Sequence, residues 1–416
     1  MKIKRFNSLL LVAFAIVLLA GLVQTVPAQF PIKIPKLPKP TPTPAVTVPT
    51  DNGGGIPNNG KVPTAAGQTD VARLPGYPDA SLAAPVVDAT SIRFLPRTIP
   101  NSYPTPNGEK NYDVWSWTPR LQFIVRGPLE AGSVVSFEFT NPNGSPWLAE
   151  DCPNGEAEKY GGTEFYCGND IDEHKGLLQT GVFGFKIKLV NELQGKNTVL
   201  YAGRVKIDKW VYNPANNPKA AKNFEYYAVS DWKLPTAYLY VPKTPSYDDH
   251  GPLVVQFWFR GASQTVANLT GYLFYQGKQV ASTLTDGGAN RVTEPYSEQA
   301  SRDSENEYYA RDFWFDALVF DNNRSANTQN LGFPIYKNPG EYEVKVLQNG
   351  KLARVAKFTV EGGRIVDSRF AADNRLGTTR YLIPAQIVGT QDGPWNRTGW
   401  ASEVFYGNAL NGFPAP

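Results

Sequence analysis

The sequence predicts an all-β fold of two tandem antiparallel β-sandwich domains, set behind a disordered proline-rich stalk. Three observations carry that expectation. Short runs rich in Val, Ile, Phe, Tyr and Trp, among them LQFIVRG, SVVSFEFTNPNG, LVVQFWFRG and YEVKVLQNGK, are separated by clusters of Gly, Pro, Asn and Asp. Long segments with a 3.6-residue apolar period are missing, and the polar stretch 294–312 is the one place where a helix competes with a loop. Motifs in the first half of the chain recur in the second.

Residues 1–28 read as a secretory signal peptide. Lys2, Lys4 and Arg5 precede an apolar run from Leu9 to Val23, and Val26 and Ala28 place small residues ahead of a cleavage point. The alternative is an uncleaved anchor, but a spanning helix wants roughly 20 apolar residues and this run is shorter. No cysteine follows the run, which argues against a lipoprotein. Without those three cations the 41 basic residues fall to 38, matching the 38 acidic ones. A concentrated basic surface is therefore not expected, and nucleic acid is excluded as a partner.

Residues 29–67 form a Pro/Gly-rich linker: an extended polyproline spacer (FPIKIPKLPKPTPTP), then a Gly/Asn hinge (DNGGG). Lys33, Lys36 and Lys39 repeat with the three-residue period of polyproline II, a cationic edge able to touch an anionic envelope polymer or simply to keep the linker solvated. Residues 68–111 are an irregular lead-in.

The first sandwich is expected over 112–240 and the second over 241–365. QFIVRG at Gln122–Gly127 returns as QFWFRG at Gln256–Gly261. GVFGFKIKLVN from Gly181 returns as GEYEVKVLQNG from Gly340, each running through a hairpin into a closing strand. This G-x-aromatic-x-V/F-K-V/I ending resembles the last hairpin of immunoglobulin-like or fibronectin-like domains. The resemblance covers some 25 residues per copy, implies architecture alone, and carries no function with it. Residues 366–416, rich in turns, are expected to pack on the second sandwich.

Cys152 and Cys167 are the only cysteines. They lack CxxC spacing and histidine neighbours suited to zinc, and in an exported chain they are expected to pair as a structural disulfide. His174 follows Asp170 and Asp172, and His250 follows Asp248 and Asp249. These two acidic loops are the only metal candidates, better suited to calcium than to zinc, and they match no EF-hand or HExxH pattern. No cofactor is expected otherwise.

GxSxG is absent, and the S-x-x-K match at Ser230–Lys233 runs into Leu234 and Pro235, a poor setting for the helix that would present the serine. Paired carboxylates of a glycoside hydrolase need only converge in space, and Glu164, Asp170, Asp303, Glu305, Asp312 and Asp316 are available.

The aromatic content is the most distinctive feature: 9 Trp, 21 Tyr and 22 Phe. Planar rings stack on sugar faces, and the turn-rich settings of Trp115, Trp117, Trp147, Trp210, Trp232, Trp395 and Trp400 favour exposure over Trp258 and Trp314, which sit inside strand runs. Core packing is the competing role for each. Sequons stand at Asn268, Asn323 and Asn396. The functional expectation is an exported, non-enzymatic interaction or adhesion-type protein, secreted or at the cell surface. Its partner would be an envelope polymer or protein, with carbohydrate one ligand class. The alternative is a secreted polysaccharide-active hydrolase.

Overall fold

The computed structural model describes residues 82–416 except 100–102, 105–109, 112–114, 154, 158–161, 212–223, 242–251, 263–265, 286–287, 294–295, 298–305, 321–323, 328–332, 367–369, 371–372, 375, 379, 390 and 409. The leader, the stalk and half of the lead-in lie outside the described residues, as do Asp248, Asp249, His250, Asp303, Glu305 and Asn323; the described part of the lead-in, expected to be irregular, is chiefly a strand, Val86–Ile99.

The fold is mostly β, and its strand pairs are antiparallel. A four-stranded sheet runs in the order β1 (Val86–Ile99), β4 (Ser116–Arg126), β8 (Thr163–Cys167), β7 (Glu156–Ala157). A five-stranded sheet runs β11 (Phe224–Val229), β10 (Lys196–Val211), β9 (Gly181–Asn191), β5 (Val134–Thr140), β6 (Pro146–Asp151). β2 (Tyr103–Pro104) and β3 (Lys110–Asn111) pair separately.

The remaining strands join in one long sheet: β16 (Tyr296–Ser297), β17 (Tyr308–Trp314), β13 (Val254–Arg260), β12 (Thr236–Tyr240), β23 (Tyr381–Ile387), β21 (Lys351–Glu361), β20 (Gly340–Gln348), β14 (Leu269–Tyr275), β15 (Lys278–Ser282), β18 (Ala317–Phe320), β19 (Arg324–Asn327). β22 (Arg364–Ile365) adds to β21. Where it is described, the stretch that left helix and loop open is strand at β16 and β17, with a turn at Asn306 and then Glu307 leading into β17. The α-helix Trp400–Glu403 is a single turn, and among the described residues no helix is long and apolar enough to cross a membrane.

One strand order occurs twice. β1-β4-β8-β7 is matched by β12-β13-β17-β16, and β10-β9-β5-β6 by β21-β20-β14-β15. The recurring sequence motifs sit at equivalent places, QFIVRG in β4 and QFWFRG in β13, with the recurring hairpins at β9–β10 and β20–β21. β23 turns the second set into a continuous sheet. Tyr381–Pro384 pair with β12, whereas Ala385–Ile387 pair with β21.

Period-2 alternation explains the first core. β9 sends Phe183, Phe185 and Ile187 inward and leaves Lys186 and Lys188 outside. Trp117 is completely buried, its ring 5.0 Å from both Trp147 and Phe183 and 6.4 Å from Phe94, and its indole N–H donates to the Gln179 carbonyl at 2.9 Å. β12 and β13 break the alternation. Nearly every residue of TAYLY and VVQFWFR is buried, because both faces of these strands are covered. Ala237, Leu239, Val255, Phe257 and Phe259 enter the second core, while Tyr238 and Trp258 join the first.

Residues beyond β23 close the seam. Trp400, Val404, Phe405, Tyr406 and Phe413 belong to the first core, and the Tyr406 hydroxyl donates to the Ile92 carbonyl at 2.8 Å. The extension after residue 366 therefore divides between the cores, its strand in the second sheet and its tail in the first cluster. At Gly377 (φ +66°) a β-carbon would lie 2.6 Å from the Val87 carbonyl oxygen, so glycine permits the close crossing in which Ala89 donates to Leu376 at 2.7 Å.

Cys152 and Cys167 are disulfide-bonded, with a Cα–Cα distance of 4.7 Å. Cys152 follows β6 in the five-stranded sheet and Cys167 ends β8 in the four-stranded one, so the bridge ties the two layers together across the first core. A disulfide of this kind fits an oxidising compartment.

Two outcomes follow from this packing. Trp117→Ala should cost about 3–5 kcal/mol in urea unfolding; a loss below 1 kcal/mol would contradict its place in the core. Replacing both cysteines by alanine should lower stability by about 3 kcal/mol without changing the circular dichroism spectrum, and an unchanged urea midpoint would refute the bridge's structural role.

Candidate functional site

The structure sorts the nine tryptophans differently from their sequence context. Trp115, Trp117, Trp232 and Trp400 are buried, and none presents a free ring face. Trp232 packs 4.8 Å from Phe405, and Trp400 stacks 5.5 Å from Phe413. Trp147 is half-buried, its ring against Trp117 and its N–H given to the Lys175 carbonyl at 3.0 Å. Trp210, near the end of β10, and Trp314, in β17, are half-buried, while Trp258 is buried. Turn context failed as a guide because Trp117 lies within β4, facing the first core, while the turn that carries Trp232 and the tail that carries Trp400 pack into the same core.

Trp395 is the exception among the candidates. It is half-buried and lines a groove of about 360 Å3, the right scale for a small ligand or one stretch of a polymer. The walls come from Pro235 ahead of β12, Pro384 to Ile387 at the point where β23 changes partner, and Pro414 to Pro416. Arg397 lies with its guanidinium 5.1 Å from the Trp395 ring centre, a cation–π contact worth about 0.5–1 kcal/mol at an exposed site. The side chains of Gln386 and Arg397 are exposed there and make no hydrogen bond to another described residue.

Two buried carboxylates hold the loop that carries Trp395. Asp392 Oδ1 accepts from Arg354 Nη2 at 2.7 Å and from the Arg260 backbone N–H at 3.0 Å. Arg354 is fully buried, lies 4.5 Å from the Phe259 ring and donates to the Trp258 carbonyl at 2.8 Å. Asp231 Oδ2 accepts from the Asn396 backbone N–H at 2.8 Å, and Oδ1 accepts from the Tyr308 hydroxyl at 2.7 Å with Arg260 Nη1 at 3.5 Å. Burial, then the Asp231 charge, push the Tyr308 phenol well above its ordinary pKa, so it stays a donor. Arg260 Nη1 also donates to the Pro394 carbonyl at 2.7 Å. Residues 392, 394 and 396 are each tied down, which fixes Trp395 between them without demanding anything of its ring.

The acidic candidates stand apart from the groove. Glu164 accepts from Gln122 at 2.6 Å and from Tyr166 at 2.9 Å, and Asp312 accepts from Tyr240 and Gln256, both at 2.8 Å. Burial raises the Asp316 pKa and Arg291, at 2.9 Å, works against that rise. Asp170 and His174 are exposed, and Asp172 caps the short turn Glu173–Lys175 by accepting from the His174 N–H at 2.9 Å. Among the described residues no three His, Cys, Asp or Glu side chains group so as to hold a metal. Ser230 precedes a 3₁₀ turn that Lys233 ends, and both are buried; the Lys233 ammonium sits 4.7 Å from the Trp258 ring.

Asp231, Asp392, Arg260 and Arg354 escaped sequence reasoning, because single charged residues in apolar strands or turns carry no local pattern. The one legible sign was the tight cluster QDGPWNRTGW, which holds Asp392, Trp395 and Arg397 together. A scan of the chain against protein-family models and a search of curated proteins both gave no match.

Asp231→Ala should destabilise the protein by about 3–5 kcal/mol, since it leaves the Arg260 charge without its carboxylate and the buried Tyr308 hydroxyl without its acceptor. It should also shift the fluorescence of the loop tryptophan to the red in the native state. Retention of both wild-type stability and emission would show that the carboxylate does not hold the loop.

Proposed function

We propose that this chain is an exported, non-enzymatic binding protein of the cell envelope or extracellular space that takes a carbohydrate chain along the Trp395 groove. The observation that carries the reading is the combination at Trp395: a ring left half-open on a groove, on a loop held at three successive anchor points. Binding sites gain affinity when the loop is ordered before the ligand arrives. Gln386 and Arg397 supply hydrogen-bond donors beside the ring, which is the mixture of stacking surface and polar edge that sugar hydroxyls require.

The reading of each half as an immunoglobulin-like module is part of the same proposal. Labelling β1, β4, β5, β6, β7, β8, β9 and β10 as A, B, C, C′, D, E, F and G gives sheets A-B-E-D and G-F-C-C′, and the second half repeats that order. Export is supported by the leader-like N-terminus and by the buried disulfide.

The decisive experiment incubates the purified protein with insoluble polysaccharides and cell-wall fractions and measures depletion from solution and sugar release in the same tubes. Depletion without release, reduced about tenfold or more in Trp395→Ala, is the expected result, given that loss of one stacking aromatic exceeds roughly 1.4 kcal/mol. Equal binding by Trp395→Ala would remove the groove from the reading, and released sugar would replace it with the hydrolase alternative.

A further inference from the structure

The outer face of the first four-stranded sheet carries an arrangement of charge that neither core nor groove uses. Alternation along β1 and β4 sends Phe94, Trp117, Leu121 and Phe123 into the core and puts Arg97 and Arg120 on the opposite face. Leu95 pairs with Arg120 and Arg97 with Thr118, so the two arginines are diagonal neighbours on adjacent strands. Such positions are about 7–8 Å apart, within reach of two long side chains converging on one group.

Their charges are poorly compensated. Arg120 Nε is shielded from solvent with no hydrogen-bond partner, and no carboxylate among the described residues lies within ion-pair reach of that side chain. Burial, then the Arg97 charge, lower the Arg120 pKa. Arg97 donates to the Asn169 carbonyl at 3.1 Å and meets Glu173 only at 4.0 Å, across an exposed gap. Glu164 lies further along the same face, but its oxygens accept from Gln122 and Tyr166.

The surround is built, not incidental. Gly168 (φ +83°) follows the disulfide-bonded Cys167, and a β-carbon there would fall 2.3 Å from the Pro119 carbonyl oxygen. The chain leaving the disulfide thus crosses directly over the backbone next to Arg120 and sets Asn169 against Arg97. On the same face Tyr166, opposite Gln122, is 41 % exposed.

We propose that Arg97 and Arg120 form an anion subsite for a carboxylate or phosphate group on an extended polymer, with the Tyr166 ring as the adjoining stacking surface. Two planar guanidinium groups are suited to grip such an anion with paired hydrogen bonds, and a bound anion relieves the like-charge repulsion that the fold imposes. The subsite is separate from the Trp395 groove and does not depend on it.

Binding of polygalacturonate (carboxylate) and of polyphosphate to the purified protein, measured by titration at 50 mM and 300 mM salt, tests this. At least one polymer should bind, more weakly at the higher salt, and Arg120→Gln and Arg97→Gln should each weaken binding about tenfold or more, the loss of one charge-assisted contact. Trp395→Ala should leave polyphosphate binding unchanged, and Arg120→Gln should leave any neutral-glucan binding unchanged, so failure of either site is read independently. Without polymer, Arg120→Gln should unfold at the same or a higher urea concentration than wild type, because it removes the repulsion. Binding of neither polymer, or equal binding by wild type and Arg120→Gln, would overturn the proposal.

Discussion

A buried carboxylate, Asp231, sits where three parts of the chain meet. It lies in the short 3₁₀ turn between β11 and β12, the point at which the chain passes from the first set of sheets to the second. One oxygen is held by Tyr308 of β17 and the other by the backbone of Asn396 in the closing loop, with Arg260 of β13 alongside. A charge this deep is tolerated only with such partners. The requirement runs both ways: because the carboxylate must be satisfied, strand, turn and loop are obliged to keep one relative position. The Trp395 groove is a by-product of that obligation, since its loop is the third party to the contact.

The two sets of sheets share more than this contact. The doubly buried strands β12 and β13 give one face to each core, and the tail after β23 fills what remains of the first. A pair of modules joined by a flexible linker would leave the facing surfaces polar. Here the facing surface holds Tyr238, Trp258 and Tyr308, all buried, and buried Arg354 is ion-paired with Asp392. The halves behave as parts of one body, so a ligand spanning them would meet a fixed geometry.

The β character of the chain was legible because alternation in β9 and β20 is clean, and the recurrence of QFIVRG and QFWFRG located two equivalent central strands. The pairing of the cysteines was legible too, but not its meaning. A loop clasp and a bridge between layers have the same sequence separation, and only the placement of β6 and β8 in different sheets distinguishes them. The tryptophans were the least legible. Trp117 and Trp395 both stand in turn-rich surroundings, yet one is enclosed by Phe94, Trp147 and Phe183 while the other is left open, a difference set by residues far away in sequence. The same limit hid Arg120, whose isolation depends on which carboxylates the fold keeps away from it.

The contact between Tyr406 and Ile92 spans 314 positions, and Arg204 donates to the carbonyl of that same Tyr406 at 2.7 Å. Chains are made from the amino end, so the first core stands unfinished throughout the synthesis of the second half. Its strands can pair early, but the cavity destined for Phe405 and Tyr406 stays open until the last stretch arrives. Contacts of such long range slow folding, and here they also order it in time: the amino-terminal half waits on the carboxyl-terminal tail.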